Sequence, residues 1–101
     1  MPAKKLWLRC QASLGQFEDE FAISGNDHSG ETFSFFTHRE FVQAEESPGE
    51  QQSVNAVLRV TELANEGELV LIRLPGQTLA NGQTLTVRRS ELENAPAWQE
   101  A

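Results

Sequence analysis

The chain has 101 residues, enough for one domain that buries about 65% of its unfolded surface without disulfides or metal. Fifteen acidic and eight basic residues give a net charge of −7, which disfavours nucleic acid and anionic membranes as partners. The lone Cys10 excludes an intramolecular disulfide. With no apolar run of signal-peptide or membrane-spanning length, we expect a cytoplasmic protein that does not contact membranes.

The first predicted strand covers residues 6–12, where apolar and polar residues alternate. The inward residues are predicted to be Leu6, Leu8, Cys10 and Ala12. The outer face would then carry Trp7, Arg9 and Gln11. A glycine and three consecutive acids predict a loop over residues 14–20, in which Phe17 either plugs the barrel end or stands exposed as a contact.

Residues 20–23 and 31–36 predict a hairpin around the turn-forming residues 24–30. Phe33 and Phe35 would face the core, and Phe36 would lie on the outer face or at the strand end. The spacing of residues 37–40 is that of a capping box, so we expect a helical turn that folds Phe41 onto the core. A polar acidic loop over 44–52 follows.

Residues 54–63 predict a fourth strand with Val57, Arg59 and Thr61 on its outer face, although a helix is the alternative. After a turn at residues 65–67, the apolar run 69–74 is typical of a strand buried on both faces. Pro75-Gly76 predicts a bend, and Asn81-Gly82 a tight turn into an alternating strand over 84–88. A second capping box over 90–93 predicts a closing helical turn.

These elements together predict an all-β fold. We expect one small barrel of five to six mostly antiparallel strands with one or two single-turn helices over residues 1–93, and a tail over 94–101 that contains Trp98. In architecture alone, this pattern resembles SH3-like barrels, with the OB type second. A six-residue echo, GQTL at 76–79 and again at 82–85, has too few copies to indicate a repeat architecture.

The residues that could carry chemistry are sparse. Cys10 would face inward, where desolvation keeps a thiol protonated. His28 and His38 lack the paired spacing of zinc ligands, and the acidic run 18–20 is typical of a solvated edge. We therefore predict no enzyme, no metal, no cofactor and no small-molecule substrate.

The predicted outer faces carry more apolar residues than a small barrel needs. Either loops cover them or they form a contact surface. The second interpretation predicts a non-catalytic module that binds a partner protein or itself through an apolar outer face or an edge strand. Its contact residues would be Trp7, Phe36, Leu69 and Leu71, with Arg59 and Arg73 at the rim. The alternative is a barrel that binds single-stranded nucleic acid through Arg9, Arg88 and Arg89.

Overall fold

The computed structural model describes residues 4–50, 52–75 and 84–94, and these residues confirm the all-β class. Every strand pairing among them is antiparallel, and the curled sheet forms a half-barrel. The strands are β1 (Lys4–Leu14), β2 (Glu20–Asn26), β3 (Thr32–His38), β4 (Val42–Ala44), β5 (Val54–Glu66), β6 (Leu69–Arg73), β7 (Thr84–Arg88) and β8 (Leu92–Glu93). Two 3₁₀ turns, Arg39–Phe41 and Arg89–Glu91, precede β4 and β8.

The sheet order is β3-β2-β1-β5-β6-β7, with the two short strands outside this path. The short strand β4 pairs with β5, and β8 pairs with β1. Strands β1–β4 and β5–β8 therefore form two units with the same succession of elements: a long strand, two further strands, a 3₁₀ turn and a short strand. The short strand of each unit pairs with the long strand of the other unit.

The pairing registers relate the two units by a pseudo-twofold axis. Leu8 lies opposite Leu58; Leu92 of β8 lies opposite Leu8, and Val42 of β4 lies opposite Leu58. Position 8 therefore corresponds to 58, and 42 corresponds to 92. The two 3₁₀ turns have the same separation along the chain, because they begin at Arg39 and Arg89. The fold is thus an internal duplication with a period of about fifty residues along the long and short strands.

The core lies inside the curl and follows the predicted alternation. Buried side chains on the long strands are Leu6, Leu8, Cys10, Ala12, Ala56, Leu58 and Val60. The other strands add Phe21, Ile23, Phe33, Phe35, Val42, Val70, Ile72 and Val87, together with Leu74 beyond β6. The predicted inward faces of β1 and β3 are confirmed, and so is the packing of Phe41 against the core.

Two predictions about side-chain burial are wrong. Val57 was expected outward, but it is 0% exposed. It lies between Arg9 of β1 and Gln43 of β4, and long side chains on both sides account for its burial. The run 69–74 is not buried on both faces: Val70 and Ile72 are buried, whereas Leu69 is exposed.

Both capping boxes are also wrong, although the turns themselves exist. The first turn has His38 as its N-cap, without a side-chain cap hydrogen bond. Thr37 instead continues the inward face of β3, and its buried hydroxyl has no hydrogen-bond partner among the described residues. The second turn is preceded by Arg88, again without a side-chain cap. The Asn81-Gly82 turn, the bend at Gly76, most of the echo and the tail with Trp98 lie outside the described residues.

Candidate functional site

An apolar patch lies on the outer face where β5 meets β6. Because Val70 and Ile72 face the core, Leu69 and Leu71 face outward. Leu69 is 38% exposed and Leu71 is half-buried. These two positions agree with the outward placement predicted from the sequence, whereas their role in binding remains a prediction.

A β-bulge completes this patch from the β5 side. The pairing of β5 with β6 shifts by one residue between Glu62 and Ala64, which makes Leu63 the extra residue. Leu63 is 37% exposed, and Ala64 lies directly opposite Leu71. We call Leu63, Ala64, Leu69 and Leu71 the β5–β6 patch. The bulge could not be read from the sequence because it depends on how β6 pairs with β5.

A groove with cationic walls lies beside this patch on the same face. Lys5 lies opposite Thr61, which lies opposite Arg73, so the three form a row across β1, β5 and β6. Arg59 precedes Thr61 on the same face of β5. The cavity measures about 370 Å³, and its walls are completed by Phe41, Leu74 and Pro75. We call it the basic groove.

The cations of the basic groove form no salt bridge in the part of the chain that the structure describes. No carboxylate of the described residues lies within salt-bridge distance of Lys5, Arg59 or Arg73. The predicted rim residues Arg59 and Arg73 are thus brought together, with Lys5 as a third cation that sequence reasoning missed. Lys5 gave no signal, because only the register of β1 against β5 places it near them.

Trp7 lies on the outer face of β1, directly opposite Arg59 on one side and Glu93 on the other. Its side chain is half-buried. The neighbouring Arg9 donates a hydrogen bond of 2.5 Å from Nε to Glu93 Oε2, and this bond raises the pKa of Arg9. Arg9 is therefore already paired, whereas the arginines of the basic groove form no salt bridge with the described residues.

A second, more polar groove of about 680 Å³ lies around Arg9. Its charged lining consists of Arg9, Arg88, Asp27, Glu91 and Glu93. Asp27 accepts hydrogen bonds from Ser29 and from the backbone of Glu31, and the Ser29 hydroxyl is the main cause of its lowered pKa. We call this cavity the Arg9 groove. Three carboxylates against two arginines make it a poor phosphate site.

The remaining predicted site residues are dispersed. Phe36 is 42% exposed on β3, opposite Ala22, at the far end of the strand order from β6 and β7. Arg88 lies opposite Leu69, while the Arg89 side chain contacts the backbone oxygen of Gly67 at 3.4 Å. Phe17, for which two roles were open, is 67% exposed. The predicted contact residues therefore do not form a single surface.

Cys10 is one of the residues that line the Arg9 groove, and its side chain belongs to the buried core. Burial raises the pKa of Cys10 to about 12, so the thiolate is scarce at neutral pH. Within residues 4–50, 52–75 and 84–94, no group of three or more His, Cys, Asp or Glu side chains could hold a metal ion. In the same ranges, no helix has the length and apolar character needed to cross a bilayer.

Comparison with known proteins adds no functional assignment. The chain has no significant match among protein-family models, curated proteins or solved structures.

Proposed function

We propose that the protein is a non-catalytic interaction module, whose β5–β6 patch binds a partner protein. The observation that carries this proposal is the exposure of Leu63 and Leu69 beside Leu71 on one face. Clustered apolar side chains on the surface of a small acidic domain are typical of contact surfaces. The high pKa of the Cys10 thiol supports a non-catalytic role. A cytoplasmic location and an SH3-like classification belong to the same proposal.

Single-stranded nucleic acid is the second candidate ligand. Its support is the position of Trp7 opposite Arg59, because an aromatic ring beside cations can stack on bases. The net charge of −7 opposes it. Arg9 and Arg88, which were predicted for this role, line a groove that also holds three carboxylates.

Affinity capture from the protein's own cell extract tests the proposal. The tagged protein is compared with a Leu63→Ser, Leu69→Ser double variant, chosen because both side chains are exposed and their loss should leave the core intact. We expect a stoichiometric partner that the double variant captures about tenfold less, as apolar hot spots would predict. Circular dichroism confirms that the variant is folded.

Phe36→Ser is the matched control, since it removes an exposed apolar side chain from the opposite end of the sheet. Equal capture by wild type and the double variant would reject the β5–β6 patch, and loss with Phe36→Ser alone would move the contact to β3. Salt-sensitive RNA or DNA in the eluate would favour the second candidate. A dimer that the double variant abolishes would make a second copy the partner.

A further inference from the structure

The basic groove and the Arg9 groove are the same site in the two units of the duplication. The registers of β1, β2, β5 and β6 bring corresponding positions to each cavity. The correspondences are Arg9 with Arg59, Gln11 with Thr61, Ser24 with Arg73, Asn55 with Lys5, and Glu91 with Phe41. The two grooves are therefore framed by corresponding strand positions, at which their side chains differ.

Those differences change the charge of the lining. In the Arg9 groove, Glu93 binds the arginine directly. The residue that corresponds to Glu93 is Gln43, because it occupies the same place opposite Val57 that Glu93 occupies opposite Trp7. The basic groove therefore keeps an arginine at this position but lacks the paired carboxylate. It also gains a lysine and a second arginine where the Arg9 groove has neutral residues.

These three cations form no salt bridge with any described residue and repel one another, while the rest of the chain is strongly acidic. Lys5 and Arg73 are separated by two strand spacings, about 10 Å between their Cα atoms. To bind one small anion, all three side chains would have to bring their charges to the same point, against their mutual repulsion. An extended segment with several carboxylates could place one against each cation, and the planar guanidinium groups bind carboxylates in two-pronged fashion.

The basic groove is also continuous with the β5–β6 patch. On β6 the outward residues run from Leu69 through Leu71 to Arg73, and on β5 Thr61 precedes the bulge at Leu63. A segment that crosses this face would meet cations at one end and apolar side chains at the other. A segment complementary to this face is therefore acidic at one end and apolar at the other.

We propose that the basic groove binds an acidic segment of the partner protein, whose adjoining apolar residues cover the β5–β6 patch. This inference rests on the proposed function and specifies the chemistry of the partner. A peptide fits better than a nucleic acid. A long polyanion is repelled by the net charge of −7, whereas a short acidic stretch is bound by the positive potential of the three cations alone. The apolar wall of Phe41, Leu74 and Pro75 suits aliphatic stems of glutamate side chains.

A binding titration with a fluorescein-labelled oligoglutamate peptide tests this assignment. We expect saturable binding that weakens with added salt. An Arg59→Gln, Arg73→Gln variant should weaken it about tenfold or more, because both charge-assisted contacts are lost. Arg88→Gln is the control: it removes an exposed arginine of the same sheet outside the basic groove, and it should change binding less than about twofold.

Gln43→Glu is the more specific test, because it gives the basic groove a carboxylate at the position that corresponds to Glu93, the residue that pairs with Arg9 in the other groove. The new side chain should pair with Arg59 as Glu93 pairs with Arg9, and oligoglutamate binding should weaken without loss of any cation. Absence of saturable binding, an equal loss with Arg88→Gln, or no effect of Gln43→Glu would overturn the assignment.

Parallel titrations with oligothymidylate of equal charge and with inorganic phosphate test whether the basic groove binds nucleic acid or a small anion instead of an acidic peptide. Tighter binding of oligothymidylate, lost in the same variants, would assign the basic groove to nucleic acid. Saturation by phosphate alone at the same residues would make it a small-anion site. Either result rejects the peptide. If cell-extract capture depends on Leu63 and Leu69 but not on Arg59 and Arg73, the proposed function stands and this inference fails.

Discussion

Leu8 on β1 lies directly opposite Leu58 on β5, and both side chains are fully buried. The pseudo-twofold axis passes through this pair. Each leucine also has a neighbour from a short strand on its other side, Leu92 for Leu8 and Val42 for Leu58. The pair therefore joins the two units at the centre of the core.

Truncation of this central pair should be costly. Leu8→Ala or Leu58→Ala should each lower the free energy of unfolding by about 2–5 kcal/mol, because the surrounding strands cannot collapse into the cavity. Leu63→Ala, an exposed leucine on the same long strand as Leu58, should change it by less than about 0.5 kcal/mol. Urea denaturation measures all three. Similar losses for Leu58 and Leu63 would contradict the assigned core.

Replacing Thr37 with valine should stabilise the protein. The Thr37 side chain is 3% exposed, and its hydroxyl has no hydrogen-bond partner among the described residues. The corresponding position in the second unit is Val87, since Phe21 lies opposite Thr37 as Val70 lies opposite Val87. Thr37→Val should raise the free energy of unfolding by about 1 kcal/mol and the melting temperature with it. Thr84→Val, on an exposed position of β7, serves as the control for β-propensity.

Gly25 is required by the ring of Phe33, which lies directly opposite it. A Cβ atom at Gly25 would lie 2.7 Å from Cζ of Phe33. Gly25→Ala should therefore destabilise the domain by about 1–3 kcal/mol, as overpacking does. A double-mutant cycle with Phe33→Leu checks the cause: the alanine should cost less once the ring is gone. Additive effects would show that the ring is not responsible.

Cys10 should make the free energy of unfolding fall as the pH rises into the alkaline range. Burial raises the pKa of its thiol from 9.0 to about 12 in the folded state. Above pH 9 the unfolded chain loses the thiol proton while the folded chain retains it, so the Cys10 contribution to stability declines between pH 9 and pH 12. Cys10→Val, which copies the corresponding Val60, should remove this part of the decline. Denaturant titrations at several pH values compare the two proteins.

Local patterns were sufficient to predict which side chains of β1, β3 and β5 face inward. The alternation from Leu6 to Ala12 and the outward position of Phe36 are consequences of the two-residue period of a strand, which is independent of its neighbours. The same is true of the outward Leu69 and Leu71. The burial of Val57 was missed because it depends on flanking strands that the sequence does not identify.

The duplication was also hidden from the sequence. Corresponding positions are rarely identical: Leu8 and Leu58, Arg9 and Arg59, and Arg39 and Arg89 agree, but most pairs do not. The six-residue echo that the sequence does show is unrelated to the period of the fold. Core positions need only an apolar side chain of suitable size, so the two units could diverge in sequence while their pairings stayed the same apart from the bulge at Leu63.

The sequence by itself therefore determined the all-β class and the inward faces of β1, β3 and β5, because both follow from local alternation. Only the tertiary structure decided how charges are grouped. Arg9 and Glu93 form a pair although they are 84 residues apart, and Lys5 and Arg73 line one groove only because β5 lies between their strands. Electrostatic neutralisation depends on distance in space, and the order of residues along the chain does not contain it.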